Sequence, residues 1–141
     1  MSWVKDVIGT ERALIGLCHL KALPGDPYYD EIGGMEAVYE AAKADVLALQ
    51  EGGIDAIQFT NEFSMPYSMK TVPPTIVAAM ATIIGRLRNE IEVPYGANCI
   101  GDPISSISLC STVGAKWTRG TFHGTWSTNY GLGEGECSDA Y

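Results

Sequence analysis

Short, continuously apolar runs alternate along this chain with longer stretches whose apolar residues recur every three or four positions, and no other property of the sequence narrows the possible folds as sharply. "ALIGLCHL" from Ala13 is a run of strand length, apolar throughout, as strands of a parallel sheet buried on both faces tend to be. Met35, Val38, Tyr39, Ala42, Val46 and Leu49 then form a helical stripe with Glu36, Glu40 and Lys43 off it, and Gly52-Gly53 supplies a stop. "DAIQFTNE" is a second strand. In "VPPTIVAAMATIIGRLRNEI" the prolines suit a first helical turn, and Ile76, Met80, Ile83, Leu87 and Ile91 share one face. "PYGANCI" is a third strand, Asp102-Pro103 an N-cap and N1 pair, Gly114 the end of a short helix, and "KWTRGTF" a fourth strand.

Strand and helix in strict alternation predict a parallel sheet with right-handed crossovers, either a doubly wound open sheet or part of a (β/α)8 barrel. Loop lengths put the elaboration on the C-terminal face of the sheet, where open α/β sheets bind ligands as well as barrels. The turns from helix to strand are brief, "GGI" and "EVP", whereas "KALPGDPYYDEIGG" and "FSMPYSMKTV" leave strand ends as long loops on the face where barrels build their sites. A full barrel needs eight strands and about 250 residues. The 141 residues here hold half the strands. The expectation is therefore one α/β domain over 1–141, half of a TIM (β/α)8 barrel with four parallel strands at about 13–20, 55–62, 94–100 and 116–122, three helices, and a flexible tail over 123–141.

Nine Lys and Arg against 17 Asp and Glu leave a net charge of −8, which disfavours nucleic acid and anionic membrane surfaces. No run reaches the roughly 18 apolar residues of a membrane span, and no apolar h-region follows a basic start, so a cytoplasmic location without membrane insertion is expected. Cys18, Cys99, Cys110 and Cys137 form no C-x-x-C pair and are read as buried or idle thiols. No metal set and no cofactor motif is read; "GLGEG" opens no helix and lacks the lysine of a phosphate loop.

Each expected strand ends in polar residues: His19 and Lys21, Asn61 and Glu62, Asn98 and Asp102, Arg119 and His123. If the strands are parallel neighbours, these groups line one rim, where a base, a carboxylate and a cation suit proton transfer on a small anionic molecule. The candidate catalytic residues are His19, Glu62, Asn98 and Arg119, and the candidate substrate contacts are Asn61, Asp102 and His123. Structural roles stand beside these: His19 as a core cap, Asp102 as a helix N-cap, Glu62 as a solvated loop residue. Phe63, Met65, Tyr67 and Met69, spaced by two, are open to reading as an edge strand, a lid or a partner surface.

"IGLCHLKALPGDP", "GGIDAIQFTNEFSMPY", "VPYGANCIGDP" and "GAKWTRGTFHGTW" resemble the BtpA family, and more closely its SgcQ-like branch. The resemblance implies a phosphate-binding (β/α)8 barrel and a sugar-phosphate or nucleotide-like ligand, in a family whose members are roughly twice this length, so that the chain reads as a truncated barrel. It carries over to His19, Leu23, Pro24, Gly25, Asn61, Glu62, Asn98, Asp102 and Arg119. This chain departs from the family pattern at Gly120, where a polar or acidic residue is usual, and at His123-Gly124. One branch of the family is associated with photosystem I accumulation, which gives the alternative of a non-enzymatic assembly factor; the SgcQ-like branch is associated with carbohydrate-uptake gene clusters. An open half-barrel also implies self-association, two copies closing one barrel through their unpaired edges.

Overall fold

The computed structural model describes residues 2–68, 71–129 and 131–135. It is a mixed α/β fold around a three-stranded parallel sheet: β1 (Ile15–His19), β2 (Ala56–Thr60) and β3 (Tyr95–Asn98) lie side by side in chain order. Ile15 pairs with Ala56, Gln58 with Gly96 and Thr60 with both His19 and Asn98. The connecting helices are α2 (Gly34–Glu51) and α3 (Pro74–Leu87), and α4 (Pro103–Val113) follows β3. Neighbouring helices touch, α2 with α3 and α3 with α4, so they form one layer on one face, as crossovers of a single hand require when strand order never reverses.

The helical stripes read from the sequence are the buried ones. Val38, Ala42 and Val46 of α2 and Ile76, Met80, Ile83 and Leu87 of α3 pack against Cys18, Ile57, Phe59 and Ala97 of the strands. Each fully buried Val, Leu, Ile, Phe or Met side chain among these contributes about 1.5–3 kcal/mol. Pro74 occupies the first turn of α3, and Gly114 ends α4 at φ 77°, a left-handed conformation that needs glycine. On the outer surface Arg86 of α3 donates two 2.9 Å bonds to Glu36 of α2 and lies 3.7 Å above the Tyr39 ring. Full exposure to solvent screens that brace.

Strand alternation sends Gly16, Cys18, Ile57, Phe59 and Ala97 toward the helices and leaves Leu17, His19, Gln58, Thr60, Gly96 and Asn98 on the opposite face. No helix layer covers that face, although a further helix, α1 (Trp3–Ile8), reaches it: the Trp3 ring lies 6.1 Å from that of Trp117. Leu17 stays 43% exposed there.

Three features differ from the sequence-based expectation. The fourth strand over 116–122 is absent: Lys116 N donates to Tyr95 O at 2.7 Å, but Ala97 N donates to the carbonyl of Trp117 at 3.2 Å rather than that of Lys116. This one-residue slip ends the ladder as soon as it begins. It sets the Trp117 indole over Gly96, where a Cβ would collide with the ring. The described residues therefore hold three parallel strands instead of four, and four helices instead of three, α1 being the addition. Finally, where a flexible tail was expected from residue 123, β4 (Gly124–Thr128) and β5 (Gly131–Gly135) pair as an antiparallel hairpin, with Trp126 lying against Gly133. The remainder of that segment, 136–141, lies outside the described residues, as does Cys137.

Asp102 has the capping role considered for it and a wider one. Its side chain accepts from Ser105 N at 2.9 Å and Ser105 Oγ at 2.7 Å, and also from Val72 N at 2.9 Å, tying the start of α4 to the loop before α3. At 2% exposure no water replaces those bonds. Asp102→Asn keeps one carbonyl oxygen for the cap and turns the other acceptor into a donor, leaving a buried N–H unpaired. A loss of about 1–3 kcal/mol in urea denaturation is expected, and an unchanged midpoint would show that the carboxylate does not hold these segments.

Among the described residues Cys18, Cys99 and Cys110 are free thiols. Burial pushes Cys18 and Cys99 from 9.0 up to about 12, with Asp45 and Asp102 respectively adding a smaller push in the same direction. Well below pH 9 these thiols are protonated in folded and unfolded chains alike and contribute no pH dependence. As pH rises from 9 toward 12 only the unfolded chain releases their protons, so stability falls across that window. Urea midpoints at increasing pH should decline less steeply in the double variant Cys18→Ala, Cys99→Ala than in the natural chain; equal slopes would exclude the thiols as the cause.

Candidate functional site

The loops that leave the C-terminal ends of β1, β2 and β3 are cross-linked by buried or half-buried polar side chains. Asp26, in the loop after β1, accepts from Leu23 N at 2.6 Å and from Ser64 Oγ at 2.7 Å, which joins it to the loop after β2. Asn61 Oδ1 accepts from Ile100 N at 2.7 Å and joins the loop after β2 to that after β3. Asp102 adds the third tie. Ser106 completes the last of these loops: its hydroxyl accepts from Cys99 N at 2.8 Å and donates to Asp102 O at 2.7 Å. Gly101, at φ 82°, packs so tightly beneath the carbonyl of Ser68 that a Cβ would overlap it. Each carboxylate or amide gives a buried N–H an acceptor that an irregular loop cannot supply from its own backbone.

On this rim opens a cleft of about 460 Å³, and four of the candidate residues line it: Glu62, Asn98, Asp102 and Arg119. Glu62 is half-buried. Its backbone carbonyl accepts from the Tyr67 hydroxyl at 2.7 Å, and Oε1 lies 3.2 Å from the same oxygen. Asn98 is 5% exposed, its Oδ1 accepting from Gln58 Nε2 at 2.9 Å. Arg119 is exposed, carried on the irregular segment after Trp117 rather than on a strand, and makes no ion pair among the described residues. Trp126 and Thr128 of the hairpin form the far wall. A carboxylate, an amide and a guanidinium facing one space can hold an anion and accept a proton from it.

The other candidates lie elsewhere. His19 sits on the uncovered face of β1 in register with Thr60; its Nε2 and Thr60 Oγ1 are buried without a hydrogen-bond partner among the described residues. Asn61 is 1% exposed beneath the rim and consumed by its structural bond. His123 is exposed and lines a neighbouring cleft with Asp102, Phe122 and Trp126. Of the apolar stripe after β2, Phe63 and Met65 are exposed, Tyr67 turns inward to Glu62, and Met69 lies outside the described residues. That segment forms no edge strand among the residues described.

Sequence reasoning passed over Gln58, Trp117 and Asp26. Gln58 is 2% exposed in the middle of β2, and Trp117 Nε1 donates to its Oε1 at 2.7 Å. A lone glutamine inside "AIQFT" was the available signal, since a buried amide demands partners.

A family model described as "BtpA family" matches residues 10–140. The chain is 50% identical over 132 residues to the putative sgc region protein SgcQ of Escherichia coli K12, covering 94% of this chain and 49% of that protein. It is 36% identical over 132 residues to the photosystem I biogenesis protein BtpA of Synechocystis, covering 92% and 45% respectively. Uncharacterized protein TK2179 of Thermococcus kodakarensis is 35% identical over 126 residues, covering 88% and 47%. The chain thus spans about half the length of the curated relatives it matches. No solved structure matches it significantly. A family match over nearly the whole chain, with identity of this extent to its members, makes the chain a member of the BtpA family.

Proposed function

We propose that the chain forms half of a (β/α)8 barrel and binds a small phosphorylated metabolite, a sugar phosphate or nucleotide-like molecule, in the rim cleft. The observation that carries this reading is the placement of Glu62, Asn98 and an exposed Arg119, which makes no ion pair among the described residues, around one opening at the C-terminal ends of parallel strands, where such folds bind ligands. In a chain of net charge −8 such a guanidinium is a natural anion clamp. Glu62 is the candidate base, Asn98 orients the ligand, and His19, on the same sheet face, is a candidate acid or base. The barrel reading draws on the sequential parallel order, the single helix layer and relatives of about twice the length. The alternative of an assembly factor draws only on the exposure of Phe63 and Met65 and on the name of the Synechocystis relative, and is not pursued. No helix of the described residues is long and apolar enough to cross a membrane.

Thermal-shift screening with sugar phosphates and nucleotides tests the ligand class. At a hundredfold excess over Kd, binding stabilises by about 2.7 kcal/mol, a rise in Tm of roughly 5–11 °C at about 2–4 °C per kcal/mol for a domain of this size, and Arg119→Ala should abolish most of it. No response from this chain or from full-length SgcQ would end the proposal. The exposed Leu17 and, among the described residues, the free edge of β1 also make a second copy of the chain the expected cover. Multi-angle light scattering should then show dimers at micromolar concentration; a monodisperse monomer would count against closure by a second copy.

A further inference from the structure

Resting on the anion-binding reading of the cleft, we infer that Trp117 and Gln58 are positioning residues that fix Asn98 as a hydrogen-bond donor to the ligand, making the cleft selective for an anionic phosphate oxygen.

The two ends of a glutamine or asparagine amide are nearly the same shape, so shape alone does not decide which faces where; hydrogen bonding must. An indole N–H has no lone pair to offer and can only donate. Trp117 Nε1 lies 2.7 Å from one end of the Gln58 amide, and that end must therefore be the oxygen. The Gln58 nitrogen is then directed away, 2.9 Å from Asn98 and 3.3 Å from the carbonyl of Phe59. The Phe59 carbonyl can only accept and so favours the same orientation, but at 3.3 Å against 2.7 Å the indole bond is the stronger of the two and decides it. Asn98 must in turn present Oδ1 to Gln58, which leaves its NH2 group for the cleft it lines. That NH2 makes no hydrogen bond to any of the described residues. Gln58 and Asn98 are 2% and 5% exposed, so neither amide is turned over at little cost by bulk water. Reversing either sets two buried donors face to face.

A donor polarity that starts at an indole thus ends at the ligand. Asn98 and Arg119 offer only donors to the cleft, which suits an oxyanion best and rejects an ammonium, a group with no acceptor, at the same place.

The test uses the 15N-labelled 141-residue chain, with the side-chain amide signals of Asn98 and Gln58 assigned through variants that lack them. In the natural chain the Asn98 NH2 protons should exchange with water at least about tenfold faster than those of Gln58, which are held in a buried bond. Titrating inorganic phosphate should shift the Asn98 pair. Gln58→Glu replaces the last donor by an acceptor, so Asn98 turns over: its NH2 exchange slows, its carbonyl faces the cleft, and phosphate affinity falls about tenfold or more. Should that buried carboxylate prevent folding, Trp117→Phe removes the orienting donor without adding charge, and the two exchange rates should converge while affinity drops. A slowly exchanging Asn98 amide in the natural chain, or phosphate binding unaltered in the variant that folds, overturns the relay alone. A fast-exchanging Asn98 amide in a chain that binds no phosphate sinks the anion-binding reading, and the inferred selectivity with it.

Discussion

Everything on the rim depends on the in-register parallel pairing of three strands with α2, α3 and α4 layered on one side. Pairing decides which side chains share a face, and a slip of one residue would exchange the two faces completely. In the observed register the apolar set of each strand meets α2, α3 and α4, while Gln58, Thr60, His19 and Asn98 are collected on the other side. Those polar groups are thereby placed in a layer where the helices cannot satisfy them. Gln58 and Asn98 solve this within the sheet and with Trp117; His19 Nε2 and Thr60 Oγ1 do not.

The loops above that layer are long but not loosely attached. Asp26, Asn61 and Asp102 each accept a backbone N–H and each spans two separate segments of chain, counting the Ser64 hydroxyl bonded to Asp26. A side-chain acceptor between two loops costs less ordering entropy than two acceptors serving one loop each, because a single immobilised residue fixes both. Glu62 and Arg119 are then presented from a cross-braced surface, though neither takes part in the bracing through its side chain to another loop.

Much of this was legible in the sequence. The stripes of α2 and α3 and the Asp102-Pro103 start and Gly114 end of α4 were readable because helical period and caps are local signals. Glu62, Asn98 and Asp102 line one cleft because they follow the ends of neighbouring strands, whereas Arg119 reaches it from an irregular segment and not from the expected fourth strand. What escaped was set by contacts between distant residues. Nothing in "KWTRGTF" announces that its tryptophan will lie on Gly96 and that the ladder will slip after Lys116. The glycines of "GLGEG" suppress strand propensity, yet Gly133 is where the Trp126 ring rests. Asp26 drew no notice because its partner, Ser64, is 38 positions away.

Gly96 carries an evolutionary corollary. An aromatic ring seated directly on strand backbone occupies the volume of any side chain that position might acquire. Neither site is free to drift by itself: a larger residue on β3 forces the indole out, and the loss of the indole opens a void that a larger residue could fill. The pair should therefore be inherited as a unit, and in a lineage that traded both together the amide beside them would be released to point either way.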